Sequence, residues 1–467
     1  MTSGDHRAKR APPRTLVVIP ARLLPKVERR TPAILERITF EAADTTEDGK
    51  DIGLRTKRDA LIKETAQLFR LVSSLEDLVV NASLARSHLV QVGLFSSVDA
   101  VIIDTDKQKP ENPTGYELRF IVREPKAFHG SGAHISVSNR GEVVPTLQAQ
   151  IRSAFGRGES VTARGEWGHK HTTLFNLAVN KPLLGWQRYT GLHSAVYRAF
   201  EEYPWGKYSK LETGLLLGFN HQLRGNLKHD LRWNACWRQA ACLSPETAFE
   251  IRAQNGHSLK SSLLSSLEWS TLDSRLIPQR GMGLRLQNEF AGLGGDVRYL
   301  RSELELKAAT RLFLGLILST GFQASYVHPL SPTLPYPDRA YLGGPANLRG
   351  FGLNSVGPQA RSCYLGGVSS WCWAAHLYRP LFPPQMLFAH AFAVLGNIHP
   401  VSLSTPDSLL DVARRLSENP RWSIGAGLSL KLFDAIQLEL NYCLPMRAQQ
   451  TDAQQPGFQV GAGINFV

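Results

Sequence analysis

Alternation with a period of two residues constrains this chain more than any other feature, and it is clearest at the C-terminus. Residues 457–467 read GFQVGAGINFV. Phe458, Val460, Ala462, Ile464 and Phe466 fall on one parity, and Gln459, Gly461, Gly463 and Asn465 on the other. Strand side chains point to opposite faces in turn, so one face here is wholly apolar and the other small and polar. A water-soluble sandwich can use such a strand. So can a transmembrane barrel, in which lipid takes the apolar face and a wet lumen the other.

The pattern recurs. Trp422, Ile424, Ala426, Leu428, Leu430 and Leu432 alternate with Ser423, Gly425, Gly427, Ser429 and Lys431. Ile436, Leu438, Leu440 and Tyr442 alternate with Gln437, Glu439 and Asn441. Leu304, Leu306 and Ala308 alternate with Glu303, Glu305 and Lys307, and Phe175, Leu177 and Val179 with Asn176 and Asn180. Glu305, Lys307, Lys431 and Glu439 therefore sit on one face of otherwise apolar strands. In a dry sandwich core each needs a partner, whereas in a barrel lumen water solvates each.

A chain of 467 residues suffices for one large barrel or for two to three soluble domains. Mean hydropathy is −0.19, which fits a soluble protein and equally a barrel, since half of every spanning strand faces the lumen. No apolar run approaches the roughly 18 residues of a membrane-spanning helix, and the densest, residues 312–318, is far too short. A net charge of +13 points to nucleic acid, an anionic lipid surface or acidic clients. No RNA-binding, zinc-finger or helix-turn-helix signature is present, so no nucleic-acid partner is expected.

Residues 1–30 are rich in Arg and Lys, but their one apolar segment, residues 16–19, stops at Pro20 and is shorter than the roughly 7–15 residues of a signal-peptide core. Pro12, Pro13, Pro20 and Pro25 break any long amphipathic helix. The segment reads as a disordered basic arm. The five cysteines form no CxxC pair and are odd in number, so free thiols are expected rather than a disulfide framework or a zinc site. His169 and His171 share a strand face but lack a third ligand. The glycine-rich loop at 331–365 matches neither GxGxxG nor GxxxxGK[ST], and no Ser-His-Asp or Cys-His arrangement has motif context. No metal, cofactor or enzymatic activity is expected.

Residues 31–125 differ from the rest. A strand at 34–40, a helix at 58–69, a second helix at 75–92, and strands at 98–104 and 116–122 give a βααββ order, one small α+β domain. Residues 126–467 are nearly all strand and turn. At about 20 residues per spanning strand with its turn, they give roughly 16 or 17 antiparallel strands, and even counts are the rule. Nine tryptophans and twelve tyrosines are available for interfacial girdles. Two stretches interrupt the rhythm: the loop at 331–365, and 402–420 with a short helix at 409–416.

Certain motifs are more specific. They are Val92-Gly93-Leu94-Phe95 with Ser97-Val98-Asp99, the run from His257 to Leu263, and Tyr341-Leu342-Gly343-Gly344-Pro345 with Leu348-Arg349-Gly350-Phe351. The run from Ser355 to Gln359, Tyr364-Leu365-Gly366-Gly367, the run from Leu438 to Tyr442 and the terminal strand complete the set. Together, in this order, they resemble the core barrel subunit of the mitochondrial sorting and assembly machinery, a relative of the bacterial barrel-assembly protein. The resemblance runs from about residue 31 to the C-terminus.

It implies one POTRA domain in the intermembrane space (31–125), then a 16-stranded barrel in the mitochondrial outer membrane (126–467). It implies insertion of β-barrel precursors at a lateral gate between the first and last barrel strands, with metaxin-like accessory subunits and contacts to cristae-organising proteins. The first strand is expected within 128–138, opened by Gly130 and Gly132, whose lack of side chains weakens pairing. In the last strand, Gln459, Gly461, Ile464 and Phe466 stand at the positions of the family's client β-signal. Leu348, Arg349, Gly350 and Phe351 match the loop-six signature, whose arginine docks on the inner wall. Glu303, Glu305 and Glu439 are its candidate partners. Two positions depart from the pattern: Val368, where many members carry an acidic residue, and Val394, in a strand that often offers a polar one. The alternative readings are a protein-translocating POTRA–barrel channel of another organelle or bacterial envelope, a plain metabolite pore, and a soluble β-rich binding protein.

Overall fold

A computed structural model of the chain describes residues 15–17, 32–43, 53–91, 94–104, 114–125, 128, 131–137, 142–169, 171–183, 189–223, 226–400, 409–432 and 436–463. The chain divides into two compact units. One comprises residues 1–130 with 150–161 and 180–191; the other comprises 131–149, 162–179 and 192–467.

The first unit holds the small α+β fold. Strand β1 (Thr15–Val17) and strand β2 (Ala33–Ala42) precede helix α1 (Arg58–Thr65) and helix α2 (Leu75–Gln91), and β3 (Ser97–Asp104) and β4 (Thr114–Arg123) follow. The sheet order is β1-β3-β4-β2, with β2 parallel to β4 and the other pairs antiparallel. Helix α2 starts where the Ser74 hydroxyl accepts the Asp77 N–H at 3.2 Å, and Glu76 and Asp77 favour the positive end of its dipole. Its Leu75, Leu78, Val79, Ala82, Ala85 and Leu89 recur at helical spacing and are buried against Val98, Ala100 and Ile102 of β3 and Leu118, Phe120 and Val122 of β4.

Two expectations are corrected here. Residues 15–17 are not part of a disordered arm: Thr15, Leu16 and Val17 pair antiparallel with residues 101–103 and satisfy the outer edge of β3. The other residues of 1–31 lie outside those described. The helix expected at 58–69 is α-helical only to Thr65, and Ala66–Phe69 forms a tighter 3-10 turn. Thr65 directs its hydroxyl back to the Leu61 carbonyl at 3.0 Å, which competes with the helical ladder.

The sixteen-stranded sheet begins with β5 (Gly132–Val137), β6 (Val143–Arg152), β7 (Ser160–Trp167) and β8 (Thr173–Leu183). Then come β9 (Thr190–Tyr203), β10 (Tyr208–Gln222), β11 (Leu227–Cys242) and β12 (Gly256–Ser270). A helical turn, α3 (Phe249–Arg252), lies between β11 and β12. Next are β13 (Gly281–Gly295), β14 (Tyr299–Arg311) and β15 (Ile317–Pro329). The connection from 330 to 366, loop six, carries its own two-residue strands β16 (Gln359–Ala360) and β17 (Cys363–Tyr364). The sheet resumes with β18 (Gly367–Pro380) and β19 (Leu387–Pro400), and helix α4 (Leu409–Ser417) precedes β20 (Arg421–Leu432), β21 (Ile436–Arg447) and β22 (Gly457–Gly463).

Each strand bonds to its neighbour in this order, so β5 and β22 are the two ends of the sheet. Strands β9 to β15 and β18 to β21 run 12 to 16 residues, ample for the roughly 9–11 that cross a bilayer.

The alternation read from the sequence sorts the faces. Leu440, Tyr442, Leu444, Met446, Phe458 and Val460 are exposed, while Gln437, Glu439, Asn441, Cys443 and Gln459 are buried. Leu215, Leu217, Phe219, Leu300 and Leu306 extend the exposed apolar face along other strands. An apolar outer band of this extent belongs in lipid. The inner charges are not simply solvated, as the alternation alone suggested: Glu439 is 1% exposed, because loop six lies over the inner face of β18 to β22 and excludes water there. Nor do all the aromatics form girdles. Tyr203, Trp205, Tyr208, Tyr336 and Tyr364 pack together with Ile251, joining the β9–β10 turn and α3 to loop six.

Removing residues 457–467 deletes β22 and the edge it supplies. The truncated chain is expected to fail to assemble in the membrane, read as loss of carbonate-resistant, protease-protected protein; normal assembly would rule out a role for this strand in completing the barrel.

Candidate functional site

The site is built where loop six meets β18 to β22. Small residues on β20 make the seat. A Cβ on Gly425 would run into the Tyr442 carbonyl and the Phe392 ring, and one on Gly427 into Asn441. Ser423 and Ser429 are fully buried beside them. The resulting groove takes Leu348, Arg349, Gly350 and Phe351, and Arg349 is 0% exposed. Leu348 and Phe351 pack with Leu342, Val356, Phe392 and Val394.

Arg349 finds its carboxylate on β21. Its Nε and Nη2 both donate to Glu439 Oε2, at 3.3 and 3.0 Å. Of the three candidate partners Glu439 is therefore the one that serves. Glu305 instead pairs with Lys307 at 3.2 Å, and Glu303 lines a separate cavity of about 170 Å³ with Arg339 and Tyr341. Glu439 is itself fixed: Gln437 Nε2 donates to its Oε1 at 2.8 Å and Asn441 Nδ2 to its Oε2 at 2.9 Å. Nη1 of Arg349 lies 3.3 Å from His376 Nε2, and the guanidinium stands over the Phe392 ring at 5.3 Å. A buried guanidinium needs this many partners to offset its lost hydration.

Gly350 adopts φ +85°, which a side chain would strain, and that turn aims Arg349 at the wall. The Ser423 hydroxyl donates to the Arg349 carbonyl. Gln459, on the last strand, closes the seat from the other side. Its Oε1 accepts the Gly350 N–H at 3.0 Å and its Nε2 donates to the Phe351 carbonyl at 3.0 Å. One amide thus clamps both backbone groups of the loop-six turn to β22. Gly461 lies on the same inner parity, paired with Glu439. Ile464, Phe466 and Gly130 lie outside the described residues. Gly132 opens β5 opposite Gln148, and a Cβ there would meet nothing within 4 Å, so nothing in its packing demands glycine.

The departures at Val368 and Val394 are apolar contacts. Val394 is fully buried under Leu348 and Phe351, and Val368 packs with Tyr299 and Leu334. Where the resemblance implies acidic or polar wall residues, this chain meets its loop with hydrocarbon.

A second anchor was not found from the sequence. Asp338, at the start of loop six, is 2% exposed and reaches the opposite wall. Arg238 Nη1 of β11 donates to its Oδ2 at 2.7 Å, and Tyr299 Oη of β14 to its Oδ1 at 3.0 Å. Lys260 Nζ of β12 stands 3.5 Å from Oδ1, and Arg301 donates to the Asp338 carbonyl. Asp338 sits on the loop, outside the strands. Burial alone would raise its pKa, but Arg238, Lys260 and Arg301 outweigh burial and hold it well below the usual carboxylate range. The signal was an acidic residue in a Pro-rich turn facing basic residues on alternating strand positions. A third tie joins Asp452, in the β21–β22 connection, to the Gly357 N–H at 3.0 Å and to Arg421 Nε at 2.9 Å.

A sixteen-stranded sheet with a lipid-facing exterior and a long loop locked to its inner face by a buried arginine defines a class, the Omp85 barrels. Residues 154–466 match the Omp85 superfamily domain. The crystal structure of BamA from Haemophilus ducreyi lacking POTRA domains 1-3 superposes with a TM-score of 0.73 over 92% of this chain and 84% of that one, a likeness of fold at 16% identity. The sorting and assembly machinery component 50 homolog of Xenopus tropicalis is 33% identical over 444 residues, 93% of this chain and 91% of its own. The Homo sapiens homolog is 33% identical over 423 residues, 88% of each. The chain belongs to the family of sorting and assembly machinery component 50 homologs.

Glu439→Ala leaves the Arg349 guanidinium buried without its carboxylate. The expected cost to loop docking is about 3–5 kcal/mol. Hydrogen–deuterium exchange of residues 342–353 should rise steeply, while residues around Asp338, anchored independently, keep their protection.

Proposed function

We propose that this protein inserts and assembles β-barrel precursors into the mitochondrial outer membrane by pairing their terminal strand at a lateral gate between β5 and β22. The observation that carries the reading is the clamp of Gln459 on the loop-six turn. It ties the end strand of the sheet to a loop that is itself locked to the wall. Residues 31–125 act as a single POTRA domain in the intermembrane space, and residues 126–467 as the barrel. Membership of the component 50 family makes the chain an assembly factor rather than an enzyme; no covalent bond is made or broken.

The physics is strand addition to an open edge. A precursor strand entering lipid carries backbone N–H and C=O groups that lipid cannot satisfy. An edge strand with free backbone groups satisfies them one by one. The resemblance assigns Gly130 and Gly132 to the β5 side of the gate, and Gln459, Gly461, Ile464 and Phe466 to the β22 side. These four also match the client β-signal, so an incoming strand competes for the same pairing. Leu348, Arg349, Gly350 and Phe351 keep the loop seated while β22 is held and released.

β-Barrel precursors are the clients and accessory subunits the partners. The resemblance favours metaxin-like subunits on the cytosolic side and cristae-organising proteins in the intermembrane space. Membrane lipid surrounds the exposed apolar face, and nucleic acid has no part in this reading. Loop six lying across the inner face argues against a plain metabolite pore.

Depletion of the protein, followed by import of a labelled barrel precursor such as a voltage-dependent anion channel into isolated mitochondria, tests the function. The precursor is expected to cross the outer membrane and stall unassembled while helical matrix precursors import normally; unaffected barrel assembly would overturn the reading. Arg349→Ala should slow client release more than client arrival, and unchanged kinetics of both would count against loop docking as part of the cycle.

A further inference from the structure

Behind Arg349 lie two histidines that the loop-six reading does not use. His376 of β18 and His390 of β19 are 3% and 4% exposed, and their rings stack at 5.5 Å with planes 8° apart. Their Nδ1 atoms are 3.3 Å from each other. His390 Nε2 lies 2.7 Å from Asn441 Oδ1. This last contact exists because Gly427, between them in the row of β19, β20 and β21, has no side chain.

The protons in this chain are determined from one end. An arginine is always a donor, so His376 Nε2, beside Arg349 Nη1, must be an unprotonated acceptor. His376 therefore carries its hydrogen on Nδ1 and donates it to His390 Nδ1, which must be bare. His390 then carries its hydrogen on Nε2 and donates it to Asn441 Oδ1. Asn441 Nδ2 donates to Glu439, which accepts from Arg349. The ring closes with both imidazoles neutral and the two in opposite tautomers.

We propose that His376 and His390 are positioning residues that hold the Arg349 guanidinium in its docked pose as a neutral, tautomer-locked relay, so that the loop-six latch loosens on protonation. The proposal rests on the loop-docking reading above. An added proton has two places to go, and each sets hydrogen against hydrogen: His376 Nε2 against the guanidinium, or His390 Nδ1 against His376 Nδ1–H. It also puts a second positive charge close to the Arg349 guanidinium. The other groups that face the pair do not relieve this. Lys307 of β14 shares a small cavity with His376 and adds like charge. Tyr378 stacks on both rings at 5.5 and 5.0 Å and presents its face. Cys372 of β18 and Cys443 of β21 are buried thiols in the adjoining apolar cluster. Strand β20 contributes glycines and serines at these rows, which do not titrate. Glu439 is the anion beside the pair among the described residues, and it is already engaged by Arg349, Gln437 and Asn441.

Two measurements on the full chain in lipid nanodiscs test this without any client, so their failure is distinct from failure of the insertase reading. The first is nitrogen NMR of ¹⁵N-histidine-labelled protein at about pH 7.5, assigned with His376→Gln and His390→Gln. The expected result is Nδ1–H at His376 and Nε2–H at His390; two rings of the same tautomer, or an imidazolium, would overturn the relay. The second is hydrogen exchange of residues 342–353 at about pH 7.5 and about pH 5.5, either side of the ordinary imidazole value, corrected for intrinsic rates. Protection in the unmodified protein should fall on the order of tenfold at the lower pH, the effect of roughly one pKa unit. The double variant His376→Gln with His390→Gln accepts and donates in the same sense but does not titrate, and should stay protected at both. Protection indifferent to pH in the unmodified protein, or equal loosening in the double variant, would overturn the switch. If the double variant does not fold, the tautomers of the unmodified protein decide the matter alone.

Discussion

The ion pair of Arg349 with Glu439 is the interaction on which the rest of the inner structure depends. Both side chains are fully out of water, and a pair so placed stands only if its remaining donors and acceptors are met. His376 of β18 faces the guanidinium, Gln437 and Asn441 of β21 donate to the carboxylate, and the Phe392 ring of β19 lies under the arginine. A buried ion pair contributes less to stability than to choosing one arrangement over another. Here it chooses the seated loop. Once Arg349 is seated, the Gly350 turn faces Gln459, Gly357 faces Asp452, and Leu348 and Phe351 cover the apolar floor around Val394.

The two anchors of loop six have opposite polarity. Arg349 brings a cation to an anionic wall, and Asp338 brings an anion to a wall of Arg238, Lys260 and Arg301. A slip along the wall, or an exchange of the two limbs, sets like charges together and leaves others unpaired, so the register of the loop is specified electrostatically. Water entering the lumen would lower the cost of breaking either anchor. That suits them to a latch under the proposed gating of the seam.

Much of this was legible in the sequence. The parity of Phe458 and Val460 against Gln459, and of Leu440 and Tyr442 against Glu439 and Asn441, predicts which side faces lipid, because a strand has only two faces. The Leu348–Phe351 motif identifies the loop that docks on the inner wall, whereas its seat on β20 emerges only from the structure. The partner of Arg349 was not legible, since choosing Glu439 over Glu303 and Glu305 requires knowing which strands the loop crosses. Asp338 and the two histidines were missed for the same reason: each acts through neighbours far away in the chain. The pairing of residues 15–17 was missed because a Thr-Leu-Val tripeptide among prolines carries too short a pattern to read.

Precursor strands are proposed to pair at the seam between β5 and β22. The most direct test of this pairing is site-specific crosslinking of a stalled barrel precursor, with single cysteines placed along the precursor's last strand and along residues 132–137. Adducts are predicted between the precursor strand and β5 in one antiparallel or parallel register, with β22 displaced from the same positions. Adducts confined to the inner wall at β10 to β13, with none at β5, would contradict it.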